Sequence, residues 1–373
     1  MKVVKSSKAN TSQKLIQSNR RFSAKAGLRY VNDEDLTIRR LRSNGGFRYV
    51  NSKGAPVRDK RLISRVENLA IPPAWEEVRI CPASRGHLQA VGKDARGRKQ
   101  YRYHERWSEL RNENKFSRMA DFGRALPRIR RAVARDLRQK QLTKNKVLAV
   151  VVRLLELSAV RIGNEQYVNA NKSYGLTTLR NRHARVNGDM VHLRFRGKVG
   201  KEHEMDIRHP TLAKIIRKCQ NLPGQKLFEY VEEQGVHAIA SDDVNQYLQE
   251  MTGEEFTAKD FRTWKATVLA ALILAKMMKQ DEKPTNKNVK LAVNEVASQL
   301  GNTPAICRKC YIHPSILDGY LNRSMSPLQQ QSVKGSHLST KLRVEEVAVL
   351  KLLKTKKPTL TVQLKRSLNE VRR

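Results

Sequence analysis

The residues best suited to chemistry lie in Gly301 to Pro314, GNTPAICRKCYIHP. A tyrosine hydroxyl such as that of Tyr311 is a poor nucleophile near neutral pH, since its ordinary pKa is about 10. It becomes useful when fixed cations stabilise the charge that builds on the group it attacks. Gly301-Asn302-Thr303-Pro304 reads as a helix stop followed by a new start, with Asn302 or Thr303 as N-cap and Pro304 in the first turn. Ala305 to Tyr311 is then a short helix carrying Arg308 and Lys309, and Pro314 limits its length. Alone, the stretch also fits a helix hairpin holding one of ten tyrosines. Basic residues upstream give it weight.

Four sites matter. Arg161, in AVRIGNEQY, ends an apolar helix, and Glu165 four residues on is placed to orient it; Tyr167 lies further along. Lys198 sits at the tip of a hairpin, in FRGKVGK, with Lys201 close behind. Such a lysine is either solvated or held in a DNA groove, where it can protonate a departing oxygen. Arg262, in AKDFRTWKAT, falls in the first turn of the apolar helix Phe261 to Met278. Cations disfavour a helix N-terminus, and a phosphate bound there would account for it. Asn302, nine residues before Tyr311, can donate an amide N–H to an oxyanion.

A second group is the hairpin GHLQAVGKDARGRKQYRYH, with strands His87–Val91 and Arg98–Tyr103. It interleaves Lys93, Arg96, Arg98, Lys99 and Arg102 with Gln100, Tyr101 and Tyr103. Either it is an edge hairpin whose charges block aggregation, or it is a groove-facing ribbon. In the latter case the cations bind phosphates while Gln and Tyr reach sugar or base edges.

The elements that must position these groups change texture along the chain. Residues 1–24 read as a basic flexible arm. Residues 25–104 read as a β-rich N-terminal domain: Phe47 to Val50 is a strand entering the turn 51–54, Asp59 is the N-cap of a helix ending near Leu69, and Ile71-Pro72-Pro73-Ala74-Trp75 pins a loop. Residues 105–323 read as a mainly helical domain, with apolar residues every three to four positions over Phe116–Leu137 and Val147–Leu157. It is broken once by β signals between His183 and Arg208, around the turns at Asn187-Gly188 and 197–201. Helices resume near Leu212, Asp242, Ala258 and Asn286. Residues 324–373 read as a basic extension with a modest helical pattern from Val344 to Leu353. The fold class is therefore α+β, and a DNA duplex would be enclosed by two lobes hinged near 104–115.

The chain has 373 residues, enough for two cores, and 39% of them are hydrophobic, which excludes a disordered basic tail. Its 74 Lys and Arg against 35 Asp and Glu give a net charge of +39. That excess, spread over the whole chain, predicts a nucleic-acid partner rather than a membrane surface. The longest apolar run, Val268 to Ala275, is too short to cross a membrane, and the basic N-terminus has no apolar centre for a secretory signal. Cys307 and Cys310 have metal-like spacing but no second pair, so no zinc site is expected, and a reduced cytosolic compartment is the default. No Walker A sequence or acidic magnesium cluster is present, so no nucleotide, metal or other cofactor is expected.

Taken in order, Arg161, Lys198, Arg262, Asn302 and Tyr311 resemble the type IB DNA topoisomerases, in their compact poxvirus-like form found also in bacteria. The resemblance runs from about residue 25 to 320 and rests on IPPAW, GHLQAVGKDARGRKQYRY, VRIGNEQY, FRGKVGKEH, KDFRTWKAT and GNTPAICRKCYIHP. It implies a fold like that of the tyrosine recombinases. It also implies Tyr311 as nucleophile, Arg161 and Arg262 on the scissile phosphate, and Lys198 as general acid, with Lys201 able to compete. Asn302 departs from the poxvirus pattern, which has histidine there; an amide donates a hydrogen bond but brings no charge. Gln100, Tyr101, Tyr103, Lys93, Arg98, Tyr167, Lys201 and Lys259 become DNA-contacting candidates. The implied reaction is relaxation of supercoiled DNA through a 3′-phosphotyrosyl ester, by a monomer acting at the nucleoid in the cytoplasm. A tyrosine recombinase is the nearest alternative, but recombinases carry histidine three residues before the second arginine, where this chain has Lys259. A non-catalytic DNA-binding protein would need the charge alone.

Overall fold

The computed structural model describes residue 17 and residues 19–233, 235–279, 283–325 and 340–355. The chain divides into two compact units, Met1–Lys115 and Phe116–Arg373.

The first unit is built on a five-stranded antiparallel sheet in the order β2-β1-β3-β4-β5. Its strands are β1 (Ile38–Ser43), β2 (Gly46–Val50), β3 (Glu76–Ile80), β4 (Leu88–Lys93) and β5 (Lys99–Tyr103). Ile38, Val78, Ile80 and Ala90 point to one side, where Val66 of α1 (Lys60–Asn68) and Ile71 close a small core. Asp59 caps α1 as expected, accepting from the N–H groups of Arg61 and Leu62. The two prolines of the IPPAW loop have no N–H, and the buried Arg40 supplies donors to its carbonyls, reaching Ile71 O at 3.1 Å, Pro72 O at 3.0 Å and Trp75 O at 2.8 Å. Trp75 lies so close to Gly92 that a Cβ there would come within 3.1 Å of the indole.

Two expectations change here. Residues 19–25 are helical, with Ser23 fully buried and Phe22 edge-on to Trp107 at 5.3 Å, so the arm is shorter than residues 1–24. Residues 1–16 lie outside the described residues. Helix α2 (Glu105–Ser117) belongs mostly to the first unit, because Trp107 is buried against His87, 4.7 Å away between ring centroids. The division thus falls later than residue 104.

The second unit is mainly helical. Its centre is α4 (Lys144–Ser158), apolar without a break from Val147 to Val152 and buried from Lys146 to Leu155. Fully burying each of Leu154 and Leu155 is worth about 1.5–3 kcal/mol. Around it pack α3 (Met119–Leu137), α7 (Ser241–Thr252) and the long α8 (Ala258–Lys279). Helix α9 (Asn286–Leu300) lies on α8, and the short α10 (Pro304–Cys310) and α11 (Pro314–Leu321) follow. Between α5 (Glu165–Asn171) and α6 (Pro210–Gln220) comes a three-stranded sheet, β6 (Ala184–Asn187), β7 (Met190–Arg196) and β8 (Glu202–Arg208). Its Gly188 turn, at φ +52°, is where the Asn-Gly pair predicts it. A further hairpin, β9 (Glu229–Glu232) with β10 (Gly235–Ala238), was not expected.

The basic extension also differs from expectation. Helix α12 (Val344–Thr355) packs on α3 and α8, with Ala348 and Val349 fully buried. Glu346, 4% exposed, accepts from Arg130 Nη1 at 2.9 Å and Nη2 at 2.7 Å, and from Trp264 Nε1 at 3.3 Å. Arg130 also reaches Glu156 at 2.7 Å. Part of the extension is therefore core. The remainder of 324–373 is described only as far as Met325 and over 340–343.

Candidate active site

Helix α8 organises the site. Arg262 is only 3% exposed, one turn into the helix rather than at its first residue. Its guanidinium donates to Ala159 O and to Leu300 O, the latter at 2.9 Å. Ala159 is the left-handed C-cap of α4 and Leu300 the last residue of α9, so one cation caps the negative ends of two helices. This gives Arg262 a structural reason to be buried, which the sequence reading assigned to a phosphate. Its guanidinium carbon lies 5.3 Å from the centre of the Tyr311 ring. Burial lowers the Arg262 pKa, Arg161 nearby lowers it further, and Tyr311 opposes both.

Arg161 reaches the same place from a loop. After α4 ends, Arg161 O and Ile162 O accept from Leu176 N at 2.9 Å and Thr177 N at 2.7 Å, tying residues 161–162 to the 175–178 turn. Gly163, at φ +107°, makes this possible, since a Cβ there would meet Thr178 Oγ1 at 2.9 Å and the Gly175 backbone at 3.1 Å. Arg161 Nη2 donates to Asn302 Oδ1. Glu165 does not orient it: its partner is Lys226, at 2.6 Å. The reason is geometric, since Glu165 opens α5 beyond the glycine and is exposed.

Asn302 follows the left-handed C-cap Gly301, and Thr303 is the N-cap of α10, accepting from Ile306 N. Tyr311 closes α10 as its C-cap and is 9% exposed. Among the described residues, Arg262 Nε and Asn302 Nδ2 are buried donors without a hydrogen-bond partner. Cys307, fully buried, belongs to this cluster; burial raises its pKa and the neighbouring Asn302 amide lowers it. Both cysteines of the 307/310 pair are free thiols. Buried donors on Arg262 and Asn302, with the Arg161 guanidinium on Asn302 and Tyr311 under Arg262, suit an oxyanion such as a phosphate.

Lys198 is not among the convergent residues. It stands exposed at the tip of the β7–β8 turn and has no hydrogen bond or ion pair among the described residues. Lys201 comes nearer: its side-chain stem lies 3.4 Å from where a Cβ of Gly301 would be. Val199 between them is 78% exposed at φ +65°, a left-handed conformation that costs a β-branched residue energy.

One residue at the centre was missed in the sequence. His203 of β8 stacks on its cross-strand partner Phe195 at 5.2 Å, and its ring fills the space beside Gly197 and Gly301. Burial first, then Arg161, Arg262 and Lys201, push its pKa down to about 4, so the ring is neutral near pH 7. The signal available was the glycine before Lys198, where a Cβ would come within 2.4 Å of the imidazole.

Of the DNA-contacting candidates, Tyr101, Tyr103 and Tyr167 are exposed at 44%, 37% and 51%, and Tyr101 stacks on Tyr103 at 6.0 Å. Lys259 and Lys201 are exposed as well. The β4–β5 hairpin forms with Gly92 opposite Gln100. Its polar groups are not all free: Lys93 pairs with Glu77 at 2.5 Å, and Arg98 with Asp94 at 2.6 Å. Gln100 Nε2 donates to Asp94 at 2.9 Å. Arg98, with the N–H groups around it, holds the Asp94 carboxyl well below the usual carboxylate range.

A small β unit precedes a helical unit with arginines gathered on a near-buried tyrosine, and comparison with known proteins identifies the class. Residues 104–336 match the family described as "Eukaryotic DNA topoisomerase I, catalytic core", and residues 46–94 match "Bacterial DNA topoisomerase IB, N-terminal domain". DNA topoisomerase 1B of Acanthamoeba polyphaga mimivirus is 34% identical over 269 residues, covering 70% of this chain and 80% of that one. DNA topoisomerase 1B of Vaccinia virus (strain Copenhagen) is 24% identical over 65% of this chain and 74% of its own. The chain belongs to the type IB DNA topoisomerases. Among the described residues no helix is long and apolar enough to cross a membrane.

Proposed function

We propose that this enzyme changes DNA topology by transesterification at Tyr311, without ATP or a metal ion. The Tyr311 oxygen attacks a backbone phosphorus, an O–P bond forms, and the P–O5′ bond breaks. The products are a 3′-phosphotyrosyl ester and a 5′-hydroxyl, and religation is the reverse. One phosphodiester replaces another, so no nucleotide is consumed. Arg161, and Arg262 through the Nε that Ala159 O and Leu300 O leave over, would hold the non-bridging oxygens, which guanidinium suits because it offers several donors and never deprotonates. Asn302 Nδ2 would add a neutral donor. Lys198 would protonate the leaving oxygen, a step neither arginine can serve. The enzyme would act as a monomer on duplex DNA at the nucleoid.

The observation that carries this reading is the convergence of Arg161, Arg262 and Asn302 on Tyr311, with Arg262 Nε and Asn302 Nδ2 left unpartnered. The test is relaxation of supercoiled plasmid in EDTA, with mass spectrometry of the trapped DNA–peptide adduct. Relaxation by the wild type, none by Tyr311→Phe, and an adduct on Tyr311 are expected. An absolute magnesium requirement, or an adduct on another residue, would overturn it.

A further inference from the structure

Thr267 lies five residues after Arg262 on α8 and is fully buried. Its hydroxyl donates to Tyr311 O at 3.2 Å and accepts from His313 N at 3.0 Å. These two backbone groups flank Ile312, in the turn between α10 and α11. Tyr311 O stands at the end of α10, where a carbonyl has no intrahelical acceptor role left to fill, and His313 N stands before the start of α11, where an N–H has none. One hydroxyl thus satisfies both and fixes the turn to α8.

Helix α8 also carries Arg262, about 7.5 Å along its axis from Thr267. The nucleophile's main chain and the arginine above its ring are therefore referenced to the same rigid element. Ile312 N and Tyr311 N both return to Cys307 O, at 3.0 and 2.9 Å, which ties the start of this turn to α10 while Thr267 ties it to α8. His313 in turn caps α11 by accepting from Ser315 N at 3.1 Å.

We infer that Thr267 is a positioning residue for strand cleavage, which sets where the Tyr311 hydroxyl stands relative to Arg262 through the Tyr311 carbonyl. This rests on Tyr311 being the nucleophile. Valine at 267 has the same shape but no hydroxyl, and removes the donor to Tyr311 O and the acceptor for His313 N. The turn then shifts to find other partners. Displacements near 1 Å at a reacting group slow reactions by roughly a hundredfold.

The test uses the full chain and a duplex oligonucleotide. It compares single-turnover cleavage, equilibrium DNA binding and thermal stability for Thr267→Val, Thr267→Ser, Val296→Ala and Tyr311→Phe. Val296 is fully buried on α9, which carries none of the reacting side chains, so it controls for destabilisation. Thr267→Val should cleave roughly a hundredfold more slowly with DNA affinity within about threefold of wild type. Thr267→Ser should restore the rate, and Val296→Ala should cleave normally though less stable. A 5′-bridging sulfur, which removes the need to protonate the leaving group, should leave the Thr267→Val defect in place, since attack and not departure is impaired. Wild-type cleavage by Thr267→Val, or an equal loss in Val296→Ala, would overturn the inference. If Tyr311→Phe cleaves, it is the nucleophile assignment that fails; if Tyr311→Phe is inert while Thr267→Val cleaves normally, only the positioning role fails.

Discussion

Replacing Arg262 by lysine keeps the charge and removes the fork. The native guanidinium holds Ala159 O and Leu300 O and still has Nε unpartnered beside Tyr311. A single ammonium cannot reach all three directions. Losing one charged hydrogen bond to a buried carbonyl costs about 1.5–3 kcal/mol of stability. Losing a donor aimed at the developing oxyanion costs about 10²–10³ in rate. Arg262→Lys should therefore cleave a duplex oligonucleotide about 10²–10³-fold more slowly in single turnover, with the urea midpoint lowered as well. The two effects separate by assaying cleavage at a temperature where the variant is fully folded. Cleavage within fivefold of wild type there would refute the view that the fork, and not just the charge, is needed.

Three further outcomes follow from the same structure. Lys198→Ala should be slow on normal DNA and largely rescued by a 5′-bridging sulfur; rescue in Lys201→Ala instead would move the acid role to the lysine that lies nearer Gly301. Glu346→Ala leaves Arg130 and Trp264 Nε1 short of an acceptor and should cost about 3–5 kcal/mol in urea unfolding, whereas a loss below about 1 kcal/mol would show that α12 contributes little. The folded state keeps His203 and His183 neutral down to about pH 4, while an unfolded histidine takes up its proton near 6.5. The unfolded chain then binds more protons between those values, so stability is full above pH 6.5 and declines as pH falls towards 4. His203→Gln should flatten part of that decline, and an unchanged slope would count against a buried neutral His203.

Local signals were legible where chain neighbours decide the structure. The caps at Asp59 and Thr303, the Asn187-Gly188 turn and the β4–β5 hairpin all rest on residues within a few positions of one another. Arg161, Arg262, Asn302 and Tyr311 could be picked out as candidates, and they do converge. What could not be read was how they are held. The partners of Arg262 are carbonyls 103 and 38 residues away, and a carbonyl has no sequence signature. The same applies to Thr267, 44 residues from the Tyr311 carbonyl it holds. The four-residue spacing of Arg161 and Glu165 does not bring them together, because the chain is not helical at Gly163. The helix Val344–Thr355 was visible as a period, but its burial depended on Glu346 meeting an arginine more than half the chain away.

That last contact bears on synthesis. Arg130 and Glu346 are 216 residues apart, so at about 5–20 residues per second the ribosome takes roughly 10–40 s to supply the second after the first. During that interval Glu156 is the only one of the two carboxylates in the Arg130 pair that has been made. The nascent helical unit passes through this period without α12 and with the Trp264 indole N–H short of its Glu346 acceptor. Chaperone capture, or pausing of translation before α12, would act on the enzyme in that window and not after it.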